Sequence, residues 1–158
     1  MWTLKKYVLS FFAPKSRRTA NEERGRANVE QGRWGEDMAC AYFRKKGWRV
    51  LERNVRPCAA DQRYEIDLIV SDPERRVVFV EVKTHKTRPR LAGRLAGVNR
   101  HKKELLLRAC SNWLMKHKWH GNFRFDVVEV YGFYTDGKLP EIDHIENVPL
   151  FPPNWRFW

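Results

Sequence analysis

The sequence predicts an α/β fold in which helices flank a mixed central sheet, and three observations lead there. Two segments of helical periodicity bracket three strand-like segments, giving the order α-β-β-β-α-β with a hairpin added after it. Val77–Val82 is almost continuously apolar, as strands buried on both faces are. At 158 residues and 42% apolar composition, the chain can fill one core and is too short for two ordinary domains.

Each element has its own signature. Residues 1–30 are polar and basic and read as a flexible N-terminal arm. Within it, Tyr7 to Ala13 is too short an apolar run to span a bilayer, so no stable membrane insertion is expected. From Arg33 to Lys46, Glu36, Ala39, Cys40 and Phe43 share one helical face, and Gly47 supplies the stop. Trp48, Val50 and Leu51 open a first strand, closed by the turn-prone region at Pro57. Glu65 to Val70 is a second strand with Ile66, Leu68 and Val70 on one side, and Asp72-Pro73 turns the chain into the third. Residues 84–98 are rich in glycine and arginine and read as a mobile basic loop. Asn99 to Lys116 is a second helix with Leu106, Ala109, Cys110 and Trp113 inward, and Phe123 to Tyr131 is a fourth strand. Asp136-Gly137 reads as a turn between Phe133–Thr135 and Leu139–Ile145. The domain then covers residues 31–148, with an aromatic, proline-broken tail at 149–158.

Charge narrows the partners. Lysine and arginine total 31 against 19 acidic residues, a net charge of +12, which favours nucleic acid or an anionic membrane surface. Cys40, Cys58 and Cys110 have no paired spacing, and an odd count without a secretion signal fits a reducing cytoplasm. His101, His117, His120 and His144 show no metal-ligand spacing and read as surface residues.

Two neighbouring strands carry charge where buried strands do not. Alternation puts Glu65 and Asp67 on one face of the second strand, and Glu81 and Lys83 on one face of the third. An unpaired carboxylate in an apolar setting costs several kcal/mol or is driven to its neutral form. A bound cation relieves that cost, and two converging carboxylates suit Mg²⁺ or Mn²⁺, hard ions that take oxygen ligands. Lys83 beside them is placed to orient a water and to neutralise charge developing on a phosphate. The competing reading is an ordinary cross-strand salt bridge on a solvated face, and the apolar flanks of both strands argue against it.

Asp67 followed by Glu81-Val82-Lys83 resembles the signature of PD-(D/E)XK nucleases. Five blocks occur in order: Gly32-Arg33-Trp34-Gly35-Glu36-Asp37-Met38-Ala39, Asn54, Glu65-Ile66-Asp67-Leu68-Ile69, Phe79-Val80-Glu81-Val82-Lys83-Thr84 and Arg124-Phe125-Asp126-Val127. Together they resemble the YraN family of bacterial endonuclease-like proteins, similar in fold to archaeal Holliday-junction resolvases, over about residues 31–131. The resemblance implies a restriction-endonuclease-like core and metal-dependent hydrolysis of nucleic acid, with DNA, including branched DNA, as the substrate class. The alternative is a nucleic-acid-binding module of the same fold with weak or absent catalysis.

The resemblance also implies roles. Asp67 and Glu81 would hold the metal, with the Val82 carbonyl as a third ligand; Lys83 would be the catalytic lysine, and Glu36 would complete the acidic cluster. Glu36 is also open to a plainer role as a first-turn charge favoured by the helix dipole. Two positions depart from the family pattern: Tyr64 replaces a glycine and His85 an arginine, the latter weakening a phosphate contact. Arg88, Arg90 and Arg94 of the loop, with Arg100, Lys102 and Lys103 opening the second helix, are candidate phosphate contacts or simply a solvated charged face. Arg124 and Asp126 are expected to form a structural ion pair, and the terminal tryptophans to pack back over the domain. Symmetric cutting of two strands would favour a homodimer.

Overall fold

A computed structural model describes residues 19–57, 65–88, 100–153 and 155. In chain order they form α1 (Ala20–Lys45), β1 (Arg49–Val55), β2 (Ile66–Ser71), β3 (Val77–His85), α2 (Arg100–Lys116), β4 (Phe123–Tyr131) and β5 (Glu141–Ile145). The five strands make one sheet in the order β1-β2-β3-β4-β5. β3 and β4 are parallel and every other neighbouring pair is antiparallel, so the sheet is mixed. A parallel pair needs a long crossover, and α2 lies in it.

α1 is longer than its apolar periodicity indicates. It begins at Ala20, not near Arg33, so residues 20–30 are helix rather than flexible arm. The Thr19 hydroxyl accepts from the Glu22 N–H at 3.3 Å, and the Glu22 carboxylate accepts from the Thr19 N–H at 2.9 Å. That reciprocal cap satisfies two amides, and Glu22 and Glu23 suit the positive end of the helix dipole. This first half is almost wholly exposed, so it has no apolar face for periodicity to detect. At the other end Gly47 (φ 78°) lets its N–H reach the Arg44 carbonyl and the Trp48 N–H reach that of Phe43, closing the helix as expected.

Side-chain alternation divides the core between the two faces of the sheet. On one face Phe79, Phe125 and Val127 pack with Leu106, Ala109, Cys110, Trp113 and Leu114 of α2. On the other, Leu68, Val70, Val78, Val80, Val128 and Val130 pack with Ala39, Cys40 and Phe43 of α1. Phe43, Phe79 and Phe125 are fully buried, each contributing roughly 1.5–3 kcal/mol by removal from water. Gly35 lets α1 approach β3 closely, since a Cβ there would meet Thr84 Oγ1 at 1.9 Å.

Three expectations are corrected. Ile66 joins the α2 side of the core, apart from Leu68 and Val70, so the pleat is interrupted at Asp67. The second hairpin is β4 with β5: residues 132–140 form turns, and Glu141–Ile145 pairs back on Val127–Tyr131. Gly132 (φ 147°) bends the chain out of β4, and Pro140, lacking an N–H, stands just before β5. The His144 side chain is turned inward, not on the surface: it is 3% exposed, with Nε2 2.8 Å from Asp126 Oδ2.

The Arg124–Asp126 ion pair forms as expected, Nε to Oδ1 at 3.0 Å, and Asp126 also accepts from the Asn147 N–H. The described part of the tail packs back, Phe151 lying edge-on to Phe123 at 4.9 Å and beside Trp155 at 5.2 Å, while Trp158 lies outside the described residues. Cys40 and Cys110 are buried free thiols. Cys58 and the Tyr7–Ala13 run lie outside the described residues. Among the described residues, no helix is long and apolar enough to cross a membrane.

Candidate active site

Asp67 owes its position to a break in the sheet. The β2–β3 ladder runs from Ser71 opposite Val77 to Leu68 opposite Val80 and stops there. One step on, the Val82 N–H donates to Asp67 Oδ2 at 2.7 Å, so β3 holds the carboxylate by its backbone. Across the other edge of β2, Asn54 falls between the pairs Arg53–Leu68 and Val55–Ile66, opposite Asp67, with φ 50°. A left-handed residue inside a strand is strained, and asparagine bears it better than most residues. Burial first, then the charge on Glu81, pushes the Asp67 pKa up to about 7.

Glu81 is 3% exposed and faces α2. Its Oε1 accepts from the Lys83 ammonium at 2.8 Å and also from Lys102, which reaches in from α2. Lys102, a candidate either for phosphate contact or for a solvated face, has the site carboxylate as a partner here. Burial pulls the Lys102 pKa down, and the hydrogen bond and charge of Glu81, with smaller contributions from Lys83 and Asp67, together leave it above the usual lysine value.

Glu36 comes from the second half of α1, so the first-turn dipole role does not apply to it. Burial raises its pKa, opposed by a side-chain hydrogen bond with Asn54. Its Oε2 is buried without a hydrogen-bond partner, the Arg53 guanidinium stopping 3.8 Å away and engaging Asp37 at 2.6 Å instead. Glu65 is turned aside, its carboxylate bound by Arg56 at 2.7 Å and 3.0 Å. Asn54 is marked in the sequence only by the family resemblance, and Lys102 only as a candidate phosphate contact; neither is legible there as a partner of the carboxylates. The signal for Asn54 was an amide amid a strand, and for Lys102 a lysine one turn before the apolar face of α2.

Of the remaining basic candidates, Arg88 and Lys103 have described side chains. Arg88 pairs with Glu141 at 3.0 Å and Asp143 at 2.8 Å on β5, over the ring of Tyr131. Lys103 is exposed on α2. Arg90, Arg94 and the side chain of Arg100 lie outside the described residues, as does Tyr64. His85 stacks on Tyr131 with ring centroids 5.4 Å apart, and its Nε2 is 3.9 Å from Glu129.

Antiparallel β1-β2-β3, the parallel β3–β4 step and helices on both faces define a restriction-endonuclease-like α/β core. The model of the Uncharacterised protein family UPF0102 matches residues 35–130, and the chain belongs to that family, the YraN family. A UPF0102 protein of Trichlorobacter lovleyi is 35% identical over 124 residues, covering 78% of this chain and 92% of the relative. One from Pelobacter propionicus is 36% identical over 76% of this chain and 82% of the relative. Another from Halorhodospira halophila is 41% identical over 65% of this chain and 78% of the relative. Among solved structures, SfsA of Pyrococcus furiosus in complex with Ca²⁺ covers 75% of this chain and 63% of its own. At TM-score 0.32 and 14% identity, that likeness is too low to bear on fold or function.

Proposed function

We propose that this protein is a metal-dependent endonuclease that hydrolyses phosphodiester bonds in DNA, branched DNA included. The observation that carries the reading is the convergence of Asp67 and Glu81 where β2 and β3 part, with the Lys83 ammonium 2.8 Å from Glu81.

The donor set suits a hard divalent cation such as Mg²⁺ or Mn²⁺. Asp67 and Glu81 supply carboxylate oxygens in a buried setting, and Glu36 Oε2 is a buried acceptor without a hydrogen-bond partner. Among the described residues no three such side chains form a metal-holding cluster, and Glu81 is engaged by two ammonium groups. A bound ion would supply an activated water and neutralise charge on the scissile phosphate. Lys83 would orient that water and stabilise charge developing on the phosphate oxygens. Lys102, bound to Glu81 here, would be a second cation available to the phosphate if the ion took Glu81. Asn54 hydrogen-bonds Glu36, and the Val82 N–H fixes one oxygen of Asp67.

The double lysine cap on Glu81 also favours a second reading, a nucleic-acid-binding module with little catalysis. Cleavage assays with Mg²⁺ and Mn²⁺ on four-way junctions, flaps, single strands and linear duplex decide between them. The nuclease reading requires cleavage by the parent that Glu81→Ala and Lys83→Ala each abolish while both variants stay folded. Variants that cut as well as the parent would assign the activity elsewhere. Binding without cleavage of any substrate would leave the binding module.

A further inference from the structure

Beyond α2, the face of the sheet that carries Glu81 and Lys83 continues into a cleft of about 310 Å³. Parallel register sets Lys83 beside Glu129 and His85 beside Tyr131, and β5 adds Asp143 and Glu141 to those rows. His85 is two residues beyond Lys83, about 7 Å along a strand. The cleft opens past it, lined by Lys86, Arg88, Tyr131, Phe133, Lys138 and Leu139.

Its chemistry is specific. The Lys86 ammonium sits 4.5 Å over the Phe133 ring and the Arg88 guanidinium 4.8 Å over Tyr131, so aromatic faces and cations alternate. Asp136 and Glu141 also line it and can accept hydrogen bonds from base N–H groups. Leu139 is 93% exposed, an apolar side chain in water at the rim. The loop that carries Phe133 and Leu139 is anchored at its start. Gln31 of α1 donates to the Gly132 carbonyl at 2.9 Å and accepts from the Tyr134 N–H at 3.2 Å, and the Gly132 N–H reaches the His85 carbonyl. Binding here therefore needs little ordering of the loop base.

We infer that this cleft binds an unpaired nucleotide of the DNA strand that passes Lys83, with its base against Phe133 and Leu139 and its phosphates facing Lys86 and Lys138. This rests on reading the adjacent carboxylates as a site that acts on DNA. The volume lies at the small end of the range for ligand pockets, which suits one base and not a duplex. Aromatic faces interleaved with cations are how single strands are held, and a paired, stacked base has no face to offer them. The cleft thus selects frayed or flapped DNA over continuous duplex.

The test is fluorescence anisotropy in EDTA, at fixed salt, with a blunt duplex and the same duplex bearing a single-stranded tail. The parent is expected to bind the tailed DNA about tenfold more tightly, the scale of one stacked base. Phe133→Leu, which keeps apolar volume and loses the stacking face, is expected to bring the tailed DNA down to the parent's blunt-duplex affinity. Leu139→Ser lowers the same preference and carries the test if Phe133→Leu fails to fold. A parent without preference overturns the inference, as does a folded Phe133→Leu that keeps it or weakens both DNAs equally. Tail preference with no cleavage under any metal sinks the nuclease reading and leaves the cleft; cleavage without preference does the reverse.

Discussion

With its pKa pushed up to about 7 by burial and then by Glu81, Asp67 makes the folded state sensitive to pH. Above that value the fold holds an ionised carboxylate that the unfolded chain would hydrate freely. The penalty is full there, shrinks as pH falls through 7, and vanishes below the ordinary aspartate value of 3.8. Asp67→Asn keeps an oxygen for the Val82 N–H and removes the charge. It should raise stability at pH 8 by about 1–3 kcal/mol, with the gain fading between pH 7 and 4. Thermal melts across pH check this, and an unchanged or lower melting temperature at pH 8 would contradict it. Mn²⁺ should raise the melting temperature of the parent and leave that of Asp67→Asn unmoved. At this scale Asp67, Glu81 and Lys83 were legible because charge in apolar strands is conspicuous. Lys102 was not, because a lysine in a helix full of lysines gives no sign of which carboxylate it will meet.

Elements were legible where an apolar face repeats. β4, bounded by Phe123 and Tyr131, appears as the sequence indicates, since both its faces are buried. The first half of α1 was hidden because its stability is local: the Thr19–Glu22 cap and exposed polar residues leave no periodic trace. Thr19→Ala should cost about 1 kcal/mol and act on that half alone. Hydrogen exchange would then quicken over residues 20–30 and stay unchanged beyond Gln31; a uniform change would refute a local cap. Where α1 crosses β3 the constraint is steric. Gly35→Ala drives a methyl into Thr84 Oγ1, so a loss of about 1–3 kcal/mol is expected, partly restored by adding Thr84→Ala. Melting temperatures of the single and double variants measure it. The break in the β2 pleat at Asp67 was beyond periodicity, which assumes a regular strand, and it follows from contacts with Asn54 and Val82 that are remote in sequence.

For the whole molecule, a net charge of +12 makes binding to a polyanion strongly salt-dependent. DNA affinity measured in EDTA should fall more than about tenfold between 50 mM and 200 mM salt, and a flat response would exclude phosphate contacts as the main source of affinity. The candidate site is itself a property of the whole chain. Glu36, Asn54, Asp67, Glu81 and Lys102 come from α1, β1, β2, β3 and α2, one from each. No segment shorter than the span from Glu36 to Lys102 contains all five. During synthesis the constellation therefore cannot exist until α2 has left the ribosome and docked, and a single proteolytic nick that frees any of the five elements dissolves it. On the proposed nuclease reading, a nascent or half-degraded copy therefore carries no assembled site with which to cut.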